Sequence, residues 1–310
     1  MNNTYKIIIA VLVCLILVAV TVLGVLLVQR NADSKLPSEP GLYDADKNCI
    51  ATWDELVNTY GMNVYTASTS KDKSLSALMS NNRILSKGVI LVVDSFFIGN
   101  GTFAGCKTLT NIILNDSVMS IGDSAFSGCE SLTSITLPKG VSTIGANLFK
   151  GCSSLTSITI PDGVTSIGDS AFSGCSSLTS ITIPDSVRSV GDKAFENCTS
   201  LTSVNMGSGM SKISRYMFNG CTSLKNVTIG KNVSSIGSYA FSLCTSLTSI
   251  TLPYNIMKIE RYAFGTCDSL ASIKFEGTVT EWITTELSMD WCTQTPTKEV
   301  VCTDGNVPIN

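Results

Sequence analysis

The chain has 310 residues, enough for one large domain or two ordinary ones, with 21 Lys+Arg against 24 Asp+Glu and a formal net charge of −3. That balance excludes the basic footprint of a nucleic-acid binder, so no nucleic-acid partner is expected. Histidine is absent, which excludes a Ser/His/Asp triad, a Cys/His pair, a His general base and any His-ligated metal. With 44% hydrophobic and 15% charged residues, wholesale disorder is excluded as well.

Residues 7–28 carry no charge over 22 positions. As a helix this run is about 33 Å long, close to the ~30 Å hydrocarbon core. It is longer than a secretory apolar region, usually about 7–15 residues. It ends in Val28-Gln29-Arg30 with no small-x-small pair nearby. The expectation is a transmembrane signal-anchor over 1–30, so that the chain meets a membrane through residues 7–28. A cleaved signal peptide is the alternative. Lys6 lies on one side of the run, Arg30 and Lys35 on the other, so charge counting barely sets the orientation. An N-in anchor makes this a single-pass cell-membrane protein with the bulk of the chain outside the cytoplasm. Residues 31–40, with Pro37 and Pro40, read as a stalk. Residues 41–85 read as an N-terminal cap, in which Thr52 and Glu55 form a capping box for a helix bearing Trp53, Leu56, Val57 and Tyr60.

A tandem repeat follows. Cys106, Cys129, Cys152, Cys175, Cys198, Cys221, Cys244 and Cys267 are each 23 residues apart, and Phe103 to Phe264 and Leu109 to Leu270 keep the same step. A fixed period in the range of about 20–29 with L-x-x-I-x-I is a leucine-rich-repeat signature. In the unit 155–177, Leu155, Ile158 and Ile160 alternate with polar residues as in a strand with one buried face. Pro161-Asp162-Gly163 turns the chain, Val164 and Ile167 supply a second inward wall, and Gly168 lets the backbone bend. Asp169 or Ser170 then caps a helical turn carrying Ala171, Phe172 and Cys175. The expected fold is therefore a β-rich α/β solenoid of about nine stacked 23-residue coils over 86–287, with a parallel sheet. One coil cannot bury its own apolar face, so stability is carried by neighbours. Leu287 falls in the phenylalanine slot, after which the phase is lost. Residues 288–310 read as a C-terminal cap, with Trp282, Trp291 and Val300-Val301 covering the last coil.

Three surfaces are candidates for chemistry or binding. The cysteine ladder reads as buried thiols in a small slot. Bonds between adjacent coils, at ~5 Å spacing, or metal chemistry are the alternatives, though C-x-x-C occurs nowhere. Cys292 and Cys302 are off the period and could form a disulfide across the C-terminal cap. On the sheet face, Thr156, Ser157, Thr159, Thr179, Ser180, Thr182, Lys225, Asn226 and Thr228 are either solvated spacers or a binding face. The third surface is an outer strip with Arg215, Tyr216, Tyr239, Arg261 and Tyr262. It is the richest Arg/Tyr cluster, and these are the residue types that dominate protein interfaces. No catalytic residue, cofactor, metal or small-molecule substrate is expected.

The units LTSITIPDSVxSxGDxAFxxC resemble the BspA-like leucine-rich repeats, also called the Treponema-type class. The likeness covers about 86–287 and is clearest at 132–200. The segment from Phe275-Glu-Gly-Thr278 through Trp282 to Cys302-Thr-Asp-Gly305 is similar to a C-terminal unit that often follows such arrays. Gly41-Leu-Tyr-Asp-Ala45 with Trp53-Asp-Glu-Leu56 resembles a leader seen before them. The resemblance implies a surface or secreted protein of an anaerobic bacterium or a protist, with a protein partner on host matrix or neighbouring cells; the absence of His, clustered carboxylates and phosphate loops argues against an enzyme. A spacer or surface coat without a specific ligand is the alternative. The family offers no binding motif that transfers residue by residue.

Overall fold

The 23-residue period becomes one turn of a β-solenoid in the computed structural model, which describes residues 97–309 apart from 108, 115 and 117, together with the backbone of four earlier strands. The expected anchor at 7–28, the stalk at 31–40 and the helix expected after Thr52 lie outside the described residues. Among the described residues no helix is long and apolar enough to cross a membrane. The chain divides into two units, 1–62 and 63–310. In the first, Gly41–Tyr43 pairs antiparallel with Cys49–Thr52. The second holds the repeats.

Each fully described coil of the second unit has three walls. The first is a parallel sheet whose strands step by one period, for example Ser180↔Ser203 and Ile181↔Val204. Exposed and buried residues alternate along Ser180–Ile183, so the Ile side chains face inward. This wall begins before residue 86, because Asn63–Ala67 pairs in parallel with Val89–Val93, and that strand with Leu109–Leu114. The second wall is built from two-residue strands such as Thr143–Ile144, Ser166–Ile167 and Ser189–Val190, again parallel and in register. Each turns a polar residue out and an aliphatic one in.

The third wall differs from expectation. It is not helical, so the coil is nearly all strand and turn rather than α/β. Among the described residues the one helix is Val279–Ile283. The reason lies in the backbone. Ser170 and Gly174 have φ of 53° and 75°, which an α-helix cannot accommodate. Alternate N–H groups leave the coil: Ser170, Phe172 and Gly174 donate to the carbonyls of Asp192, Ala194 and Glu196 at 2.9, 2.7 and 2.8 Å. The N–H groups between them close tight turns, Ser173 to Ser170 and Cys175 to Phe172, both at 3.1 Å. The third wall thus bonds its neighbours sideways, as a sheet does, while bending sharply.

Inside, the periodic residues form columns. The rings of Phe103 through Phe264 stack with successive centroids 5.1–5.6 Å apart and planes within 19°. All eight rings are fully buried. Gly168 is required by contact between coils: a Cβ there would lie 2.6 Å from the Ala146 amide nitrogen.

At the C-terminus the period is interrupted, not lost. Thr278 and Glu281 form a capping box that starts the helix Val279–Ile283. Lys258 and Ile259 then pair with Glu286 and Leu287, a step of 28 (259 to 287) in place of 23, and the five-residue helix equals the excess. Leu287 therefore occupies the second-wall strand slot and not the phenylalanine slot. The place beside Phe264 goes to Trp291, whose carbonyl accepts from the Phe264 N–H at 2.9 Å and whose ring lies edge-on at 6.1 Å. Trp282 and Trp291 are buried against each other, 6.0 Å apart. Val300 and Val301 pair in parallel with Ile273 and Lys274, and Asn306–Pro308 closes that edge antiparallel.

Candidate functional site

The outer strip is built on the third wall, at the slot Ser170 occupies. This slot holds Gly101, Ser124, Asn147, Ser170 and Lys193 in successive coils, then Tyr216, Tyr239 and Tyr262, and all have φ between 53° and 61°. Small or amide-bearing residues tolerate that geometry; a left-handed backbone costs an ordinary side chain about 1–2 kcal/mol. The tyrosines recover part of it by stacking. Tyr216 and Tyr239 lie parallel with centroids 4.7 Å apart, and Tyr239 and Tyr262 are tilted at 5.0 Å. Each such pair contributes about 0.5–1.5 kcal/mol.

Cations close both ends of the stack. Lys193 Nζ lies 5.4 Å from the Tyr216 centroid, and the Arg261 guanidinium 4.7 Å from that of Tyr262. Arg261 Nη2 also donates to Tyr262 Oη at 3.0 Å and reaches Asp290 Oδ2 at 3.3 Å. Arg215 Nε pairs with Asp192 Oδ2 at 3.1 Å. The structure therefore joins Tyr216, Tyr239, Tyr262 and Arg261 in one constellation, and Arg215 borders it through Asp192. Lys193, Asp192 and Asp290 extend the patch. Sequence reasoning missed Lys193, although it stands one period before Tyr216.

The sheet-face candidates Thr156, Ser157, Thr159, Thr179, Ser180, Thr182, Lys225, Asn226 and Thr228 are all exposed. Their leading hydroxyls have partners within the array. Thr156 Oγ1 donates to Thr133 O and Thr179 Oγ1 to Thr156 O, both at 3.3 Å, and Thr202 Oγ1 to Thr179 O at 3.0 Å. A second row repeats this, with Ser153, Ser176 and Thr199 each donating one coil back.

The cysteine ladder is a hydrogen-bond ladder. Each thiol from Cys129 to Cys267 donates to the carbonyl of the phenylalanine one coil earlier, as Cys175 Sγ does to Phe149 O at 3.2 Å. Burial pushes the Cys152 and Cys267 thiols up to about 12 and those of Cys175, Cys198, Cys221 and Cys244 well above the ordinary range. All ten cysteines among the described residues are free thiols. Cys292 and Cys302, which could have paired across the C-terminal cap, are not bonded to each other. Cys292 Sγ is 3.1 Å from Thr295 Oγ1, and the Cys302 N–H belongs to the closing hairpin, bonded to Gly305 O at 2.8 Å. Among the described residues no group of three or more Cys, Asp or Glu side chains could hold a metal ion.

Parallel walls, coils in register and buried Leu, Ile and Phe columns define a leucine-rich-repeat solenoid. A family model for the BspA type leucine rich repeat region, in six copies, matches residues 96–221 and 165–286. The chain belongs to that family. Among solved structures, a T. pallidum leucine-rich repeat protein is 32% identical over 52% of this chain and 77% of its own, with a TM-score of 0.48. A Bacteroides ovatus leucine-rich repeat protein is 28% identical over 68% of this chain with a TM-score of 0.49, and the chain spans 60% of it. A leucine-rich cell surface protein of Faecalibacterium prausnitzii is 23% identical over 64% of this chain and 81% of its own, with a TM-score of 0.33. No curated protein matches the chain significantly.

Proposed function

We propose that this protein is a non-enzymatic cell-surface leucine-rich repeat protein, anchored by residues 7–28, whose solenoid binds another protein on host matrix or neighbouring cells. The contact surface is the strip of Tyr216, Tyr239 and Tyr262 with Arg215 and Arg261. The observation that carries this reading is the left-handed backbone of three consecutive tyrosines in a slot that Gly101, Ser124 and Asn147 fill elsewhere. Bulky residues held in disfavoured geometry, with side chains of the interface-forming types, point to selection for contact rather than for stability.

The test is adhesion of cells expressing the full chain to immobilised extracellular-matrix proteins, with external protease shaving as the topology control. Expected are shaving of the repeats from intact cells, saturable adhesion, and at least a tenfold loss of adhesion when Tyr216, Tyr239 and Tyr262 are changed to Ser. Protection from protease overturns the surface location. Unchanged adhesion in the triple variant overturns the strip.

A spacer or surface coat without a ligand is the second reading. It draws on the hydroxyl rows of the sheet face, whose leading groups are spent between coils.

A further inference from the structure

The two strand walls end differently at the C-terminus. Asn306–Pro308 covers the last strand of the first wall. On the second wall, Glu286–Leu287 is the outermost strand, and among the described residues it pairs with Lys258–Ile259 alone. The Glu286 N–H donates to Met257 O at 2.8 Å and the Ser288 N–H to Ile259 O at 2.9 Å. Strand alternation therefore turns the Leu287 N–H and C=O toward the open side. Leu287 stands in a core slot whose counterparts, from Ile98 through Ile259, are all buried, yet it is 38% exposed. Close to it along the chain, Ile283 and Met289 are 66% and 85% exposed. Open edges are normally blunted by charge, Pro or a bulge; here the one charge on the strand, Glu286, is neutralised by Lys258, and Leu287 and Met289 stand beside it.

The bordering charges are satisfied within the chain: Lys258 with Glu286 at 3.0 Å and Arg261 with Asp290 at 3.3 Å. A charged partner finds no complement there, whereas an identical face meets it without unbalanced charge. A two-fold arrangement also gives every exposed apolar side chain an apolar counterpart, since an isologous patch is self-complementary.

We propose that this end is a homotypic interface: Glu286–Leu287 of two copies pair antiparallel about a two-fold axis, covering Leu287, Met289 and Ile283 of both. The contact adjoins the tyrosine strip at Asp290, the neighbour of Met289 that Arg261 holds at 3.3 Å, and joins solenoids end to end.

The test is sedimentation velocity of the full chain in detergent micelles over a hundredfold range of concentration. The expected result is a dimer whose fraction rises with concentration. The Leu287→Lys/Met289→Lys variant should stay monomeric at concentrations tenfold above the wild-type midpoint, and Met119→Lys, at an exposed methionine far along the array, should dimerise as wild type does. Photo-crosslinking from p-benzoylphenylalanine at position 289 should trap a dimer, and from position 119 should not. That arm decides the matter if the double variant misfolds. A monomeric wild type, a dimer that persists in the folded double variant, or equal crosslinking from both positions overturns the proposal.

Discussion

Replacing Phe172 by Ala tests whether the columns carry the fold. The ring is fully buried between Phe149 at 5.4 Å and Phe195 at 5.1 Å. The substitution leaves the backbone ladder in place, since the Phe172 N–H still donates to Ala194 O and its carbonyl still accepts from Cys198 Sγ. The loss is thus that of the ring alone, about 3–5 kcal/mol for a buried Phe→Ala change, with two stacked pairs placing it toward the upper end. At a urea slope of about 2–3 kcal/mol/M, a loss of ~4 kcal/mol lowers the midpoint by roughly 1.3–2 M. Because a coil touches only its neighbours, the damage should also divide the array. With Trp53 changed to Phe, fluorescence reports Trp282 and Trp291 in the last coils, while far-UV circular dichroism averages over all of them. In the variant the fluorescence midpoint should lie above the dichroism midpoint; in the parent the two should coincide. Coincident transitions with a midpoint shift worth less than about 1 kcal/mol would refute the nearest-neighbour account.

Three further outcomes follow from the same structure. The buried thiols have folded pKa values raised above the unfolded 9.0, to about 12 at Cys152 and Cys267. Their contribution is complete below pH 9 and is lost as pH rises above it, by about 1.4 kcal/mol per pH unit for each thiol. Urea midpoints measured from pH 8 to 11 should fall steeply, and less so in a Cys175→Ala/Cys198→Ala variant. Gly168→Ala forces a Cβ to within 2.6 Å of the neighbouring backbone and should cost about 1–3 kcal/mol. Gly174→Ala meets no atom closer than 3.6 Å, so it should cost only the left-handed backbone penalty of about 1–2 kcal/mol; thermal unfolding ranks the two. Tyr239→Asn removes one stacked and one tilted ring contact and relieves the backbone, so melting should register a net change within about 1 kcal/mol. A loss above ~3 kcal/mol would make the tyrosines a structural column and remove the argument for a contact surface.

The sequence period located the columns because a repeat is its own alignment: Phe172, Cys175 and Leu178 each have counterparts a fixed step away. Burial could be read from that, and so could the strip, since Tyr216, Tyr239 and Tyr262 share one slot. Backbone handedness was not legible. Ser170 and Asn147 suit a helix cap and a left-handed turn equally well, so the third wall read as helical. The partner of each thiol was hidden for a related reason: the acceptor is the Phe149 carbonyl, and main-chain atoms leave no trace in residue identity. The extra helix at Val279–Ile283 occurs once, so no second copy exposed it, and Leu287 fell by coincidence into an in-phase position.

The corner after Phe275 shows where this architecture accepts new material. A helix enters there, the strands on either side stay in register, and the aromatic column changes at its last member, where Trp291 meets Phe264 edge-on. That corner is a natural grafting port at the end of the stack, through which a lineage or a designer could hang a loop, a tag or a whole module.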